Sequence, residues 1–219
     1  MIKFVRVLLV MGMLVGIGAE VASAQTIGFK VGPTFSKLSF EDDTSNEDED
    51  TESLTSFGGG GFIRLGFAGL ALQAEVLAFT KGAQSTFDDG TTEAEAKFKL
   101  GYIEFPLPAM LSLGSGPYLF AGPSVAFEIG CEVEFEAEDV NVEGDCDEED
   151  ADSDRNKTDF SLHGGAGFQF PIGPGSLLIE GRYIYGLSNL NDDETTEEDI
   201  SGKNRTWAIM AGFAIPIGR

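Results

Sequence analysis

The sequence predicts an all-β fold, an eight-stranded antiparallel up-and-down transmembrane β-barrel with long acidic extracellular loops and short periplasmic turns. Three observations predict it. An export leader opens the chain, the acidic residues are confined to a few segments, and the apolar segments between them alternate residue by residue.

The leader comes first. Lys3 and Arg6 precede the apolar run Val7 to Ile17, which ends at Ala22, Ser23 and Ala24. A basic start, a short apolar stretch and an A-x-A site make a secretory signal peptide, so residues 1–24 are expected to be removed and residues 25–219 to form the barrel domain. The run is shorter than the roughly 20 residues of a membrane-spanning helix. Without Lys3, Arg6 and Glu20, the 14 basic and 37 acidic residues become 12 and 36, a net charge of −24. That balance excludes nucleic acid as a partner, and it excludes docking on an anionic surface through basic patches.

The acids are not spread evenly. Glu41 to Glu52 holds eight, Asp88 to Glu95 four, Glu132 to Asp159 fourteen and Asp192 to Asp199 six. Beyond the leader this leaves only Glu75, Glu104, Glu128 and Glu180, one in each of four apolar segments. A chain that partitions its charge in this way alternates between two solvents.

The strands follow in order, most with clear period-two alternation and none with helical spacing. Ile27 to Phe40 sets Phe29 and Val31 against Lys30. Thr55 to Gly66 sets Ile63 and Leu65 against Arg64. Leu70 to Lys81 sets Leu72 and Val76 against Gln73 and Glu75, and Lys97 to Leu107 sets Ile103 and Phe105 against Tyr102 and Glu104. Pro117 to Cys131 alternates Leu119, Val125, Phe127 and Ile129 with Ser124 and Glu128. Asp159 to Pro171 alternates Leu162, Phe168 and Phe170 with His163 and Gln169. Ser176 to Leu190 alternates Leu177, Ile179 and Tyr183 with Glu180 and Arg182, and Asn204 to Ile217 carries Trp207, Ile209, Phe213 and Ile215. Long acidic connections alternate with three short ones, at Phe67 to Gly69, Ser112 to Gly116 and Gly173 to Gly175, which carry turn residues. Every long connection therefore falls at one end of the sheet, as in outer-membrane barrels.

Parity divides the strands into an apolar face and a polar one. Unpaired backbone groups cost several kcal/mol each in lipid, so a spanning sheet must close, and eight strands leave a lumen only wide enough for side chains. The expected lumen network is Lys30, Arg64, Glu75, Glu104, Glu128, His163, Glu180 and Arg182, because buried carboxylates need cationic or hydrogen-bonding partners. The same alternation would also suit a soluble lipocalin-like ligand carrier with its apolar face inward.

Six strings read together, LQAEVLAFTKGA, LGYIEFPLPAML, PYLFAGPSVAF, HGGAGFQFPIG, IEGRYIYGLSNL and KNRTWAIMAGFAIPIG, resemble the PorT-like family of small outer-membrane β-barrels across nearly the whole chain from Thr26 to Gly218. The resemblance implies an eight-stranded barrel in the cell outer membrane with no cofactor. It also implies that Glu75 ahead of Lys81-Gly82, Glu104 in Tyr102-x-Glu104-x-Pro106, and Arg182-Tyr183 are interior polar positions. The chain departs from the pattern in ending Ile217-Gly218-Arg219 rather than on an aromatic residue.

The candidate chemistry is sparse. His163, the only histidine, shares a face with Ser161 and lies near Asp159, which admits a lipid-modifying enzyme; a hydrogen-bonded lumen histidine needs no such role, and no catalytic residues are assigned. Asp150, Asp152 and Asp154 have the i, i+2, i+4 spacing of calcium loops, but Arg155 stands where glycine is wanted and Ser161 where glutamate is. Cys131 and Cys146 can form a disulfide, which would stabilise the most acidic loop by about 3 kcal/mol on the loop-entropy model. The function expected is a structural or surface-interaction role, or else narrow-channel, porin-like transport. The expected partners are outer-membrane lipids, with divalent cations or surface ligands at the loops, around a monomer.

Overall fold

The computed structural model describes residues 24–41, 49–50, 53–67, 69–88, 93–137, 140–145, 157–188 and 201–217. The leader, the tips of the acidic connections with Asp150, Asp152 and Asp154, and Cys146 lie outside the described residues.

Eleven strands occur in chain order: β1 Ala24–Glu41, β2 Glu49–Asp50, β3 Leu54–Phe67, β4 Leu70–Asp88, β5 Glu93–Pro106, β6 Ala109–Ser112, β7 Pro117–Ala137, β8 Val140–Asp145, β9 Thr158–Ile172, β10 Gly175–Gly186 and β11 Ser201–Pro216. All pairings are antiparallel. Consecutive staves are neighbours, and β11 pairs back onto β1 from Thr26↔Pro216 to Glu41↔Ser201, which closes the ring. β5 and β6 are one stave: both meet β4 in a single register, Leu77↔Glu104 and Leu70↔Leu111, and Tyr102 to Pro106 of β5 meet β7 in the register that β6 continues. The interruption falls at Leu107-Pro108, beside Pro106, where proline cannot donate to the ladder. Counting that stave once gives eight, while β2 and β8 are short additions on β1 and β7.

The alternation read from the sequence sets the two faces. β10 runs buried-exposed almost without a break from Ser176 to Gly186. Outward-facing apolar residues are widely exposed, with Phe29 at 59%, Ile179 at 53% and Trp207 at 59%. An apolar belt this continuous on all eight staves is a lipid-facing surface, since soluble monomers rarely expose apolar patches beyond a few hundred Å². The soluble carrier reading is thereby overturned, because the face it needs on the inside is on the outside.

The strands outrun the expected ones at the end bearing the acidic connections. Asp88 pairs with Glu93, so the link expected there as a long loop is a protruding β-hairpin with four residues at its tip. Glu132, Glu134 and Glu136, read as loop, belong to β7. A bulge allows this. Tyr102 opposes Glu128 while Gly101 opposes Gly130, so β7 carries one extra residue at Ile129 and its parity flips. Beyond the flip Cys131 is buried, and Glu134 and Glu136 pair on the outer face with Lys99 and Lys97. The outer face thus changes from apolar to charged where the wall leaves the hydrocarbon. There the Glu95 carboxylate, with Glu136 adding to it, holds the Lys97 ammonium above its ordinary pKa, so the group stays charged at all physiological pH.

At the opposite end the short connections are tight turns. Gly69 and Gly173 adopt φ of 87° and 57°, values that favour glycine.

Candidate functional site: the filled lumen

The inner face is less uniformly polar than parity suggested. Large apolar side chains share it, including Leu77, Phe79, Ile184 and Met210 in one cluster and Leu100, Tyr102 and Cys131 in another. Several of the rings occupy the space beside glycines of neighbouring staves. A Cβ on Gly28 would stand 2.4 Å from the Phe62 ring, on Gly58 2.1 Å from Phe79, and on Gly167 2.3 Å from Tyr118. Gly58 thus makes room for a ring inside the wall, while Gly60 allows the close approach of the Val76 carbonyl.

Between these layers runs the polar network. Arg182 on β10 donates from Nη1 to Glu75 Oε2 at 2.8 Å and from Nη2 to Glu75 Oε1 at 2.9 Å, a bidentate pair. In the ring β4 and β10 stand four staves apart, so this contact spans the full diameter. Arg182 Nη2 also donates to Glu180 Oε1 at 2.8 Å, and Lys30 Nζ bridges Glu180 at 2.8 Å and Glu75 at 3.1 Å. Tyr118 donates its hydroxyl proton to Glu180 Oε2. Two cations and two carboxylates, all at 3% exposure or less, neutralise one another at the centre.

Toward the acidic end a second cluster forms on Glu104, which accepts from Ser124 at 2.6 Å and Ser161 at 2.9 Å, lies 2.7 Å from His163 Nε2, and faces Lys81 at 3.4 Å. Lys81 also bonds Asp159 at 3.2 Å, and Asn204 donates to the same oxygen. His163 links the clusters, because its Nδ1 lies 3.0 Å from Arg182 Nη1. Guanidinium only donates, so Nδ1 accepts, and the network assigns the neutral tautomer whose Nε2–H donates to Glu104. Both ring nitrogens are therefore engaged, and neither is free to serve Ser161 as a base.

Toward the other end Arg64 donates from Nε to Gln73 at 2.7 Å and from Nη1 to Gln169 at 2.9 Å. Gln73 passes the contact on to Glu75.

Seven of the eight expected lumen residues are thus brought together: Lys30, Arg64, Glu75, Glu104, His163, Glu180 and Arg182. Glu128 stands on the same face, opposite Tyr102 beside the β7 bulge, and is partly exposed. Sequence reasoning missed Lys81 and Asp159. Lys81 has the parity of Glu75 and could have been found by extending that stave, whereas Asp159 was hidden inside an acidic run. Cys131 is disulfide-bonded. Among the described residues no group of His, Cys, Asp and Glu could hold a metal ion.

A closed ring with a lipid-facing belt and a lumen filled from wall to wall defines the small transmembrane β-barrels of the Gram-negative outer membrane. The chain belongs to the outer membrane protein beta-barrel domain family, whose model matches residues 23–192. Among solved structures it is similar to Ail, the attachment invasion locus protein of Yersinia pestis, at 16% identity over 87% of this chain and 99% of that chain, with a TM-score of 0.43. It is similar also to Neisserial surface protein A, at 12% identity over 86% and 96% with a TM-score of 0.44, and to the outer membrane protease OmpT from Escherichia coli, at 9% identity over 90% and 97% with a TM-score of 0.39. No curated protein matches the sequence.

Proposed function

We propose that this protein is a non-conducting barrel with a structural or surface-interaction role, whose contacts with the outside are made by its acidic connections. The observation that carries this reading is the Arg182–Glu75 pair, fully buried and reaching across the diameter. A solute would have to break a bidentate ion pair inside a low-dielectric wall, which makes narrow-channel transport the weaker reading. No enzymatic role is proposed, since His163 is committed at both nitrogens and sealed from either solvent. On this reading the partners are outer-membrane lipids along the belt and divalent cations or surface ligands at the acidic end, around a monomer. The six strings that resemble the PorT-like family support a place in that subgroup. The test is conductance of the purified barrel in planar bilayers. The reading expects none from the wild type, and steady single-channel steps from it would refute the filled-lumen role.

A further inference from the structure

The charges of the lumen are unevenly placed along its axis. Lys30 and Arg182 balance Glu75 and Glu180 at the centre, and toward the acidic end Lys81 serves both Glu104 and Asp159. Arg64 stands alone toward the end with the short turns. It is 9% exposed, its two bonded nitrogens have only the neutral amides of Gln73 and Gln169, and no described carboxylate lies within ion-pair distance. Its third nitrogen, Nη2, is buried and has no partner. A guanidinium left with a buried, unused donor carries a real desolvation cost, so its surroundings call for an acceptor.

Those surroundings contain a recess. A cavity of about 110 Å³ is lined by Arg64 together with Met110, Ser112, Ser115, Tyr118 and Gln169. Arg64, Met110 and Tyr118 are buried and form its inner part, while Ser112 and Ser115 are exposed on the turn between β6 and β7 and form its mouth. The volume suits one small anion or several waters. The guanidinium is braced for the task. Its Cζ lies 5.3 Å from the Phe62 ring centroid and 5.7 Å from that of Tyr118, and two amides hold its remaining edge, so its fork is fixed before a ligand arrives.

We propose that this recess is a binding site for one small oxyanion of the phosphate or carboxylate class, held by Arg64 Nη2 with hydroxyl donors of the mouth. The site opens at the end opposite the acidic connections, which is the periplasmic side. Its ligand is either a free anion of that compartment or the head group of an inner-leaflet phospholipid. This goes beyond the surface role proposed above and does not depend on it.

The test uses the full barrel refolded in alkyl maltoside micelles, which contain no phosphate, with the arginine side-chain nitrogens observed by NMR. Titration with inorganic phosphate, or with acetate, is expected to shift the Arg64 signals saturably in the millimolar range. Ser115→Phe, on an exposed turn, is expected to block the mouth and abolish the shift while heat-modifiable mobility stays normal. Arg64→Lys, which keeps the charge but loses the fork, is expected to weaken binding about tenfold or more when the titration is followed at the side-chain amide of Gln169, which lines the same recess. A saturable shift reproduced by phosphatidylglycerol vesicles without added anion supports the site with the head group as its source, and a shift seen only on adding phosphate or acetate supports the site with a free anion. No saturable shift with either anion or with the vesicles overturns the proposal, as does a shift that Ser115→Phe leaves unchanged.

Discussion

Arg182 sits between two carboxylates at zero exposure, and that position makes it the most consequential single side chain of the barrel. Removing one partner of a buried ion pair costs about 3–5 kcal/mol, because the remaining charges lose their compensation inside the wall. Arg182→Met should therefore destabilise the barrel by that order, read as a lower urea midpoint for unfolding in lipid vesicles. Glu180→Gln should cost less, since Lys30 and Arg182 both retain Glu75. An equal loss from both variants would show that the pairs do not share charge as described. At this scale the sequence was partly legible: a lone Glu or Arg within an apolar alternation marks the inside. It could not show which opposite stave each would reach, because Arg182 and Glu75 are 107 residues apart.

Elements are held by complementary shapes that binary patterning does not reveal. Sorting residues into apolar and polar put the hydrophobic set outside, yet Phe62, Phe79, Phe120 and Leu178 are inside. They fit because glycines on adjacent staves leave room for the rings, and such a glycine is far away in sequence. Gly58→Ala and Gly167→Ala should each cost about 1–3 kcal/mol by overpacking, whereas Gly181→Ala, which meets nothing within 4 Å, should be near neutral in the same unfolding assay. The bulge at Ile129 belongs to this scale too. Deleting Ile129 would remove the extra residue and leave Glu128 and Gly130 consecutive against Tyr102 and Gly101, with Glu132, Glu134 and Glu136 still on the outer face. A retained heat-modifiable folded band is the expected outcome in that deletion, and its loss would mean that the wall needs the bulge itself and not only the register beyond it.

The whole molecule is a cylinder with lipid around it, and its single tryptophan reports on that directly. Trp207 faces outward in the belt and stacks on Tyr183 with ring centroids 4.7 Å apart. Lipids brominated on their acyl chains should quench most of its fluorescence in vesicles, and aqueous acrylamide little; the reverse pattern would place the belt in water. Closure of the ring was legible from the solvent argument, because an open edge cannot persist in lipid. The reach of the wall was not, since Glu132 to Glu136 resemble a loop by composition and become strand only through pairing with β5, which carries Lys97 and Lys99, on one side and with β8 on the other.

The staves differ in length, with 21 residues in β7 and 12 in β10. At about 3.3 Å per residue and a tilt near 40°, the first rises roughly 50 Å and the second roughly 30 Å from the same turns. Among the described strands the wall is therefore lopsided, a parapet on the β4–β8 side and a low sill at β10. A large body settling over these strands meets the parapet first, and a protease added to intact cells should reach the β4–β5 hairpin sooner than β10.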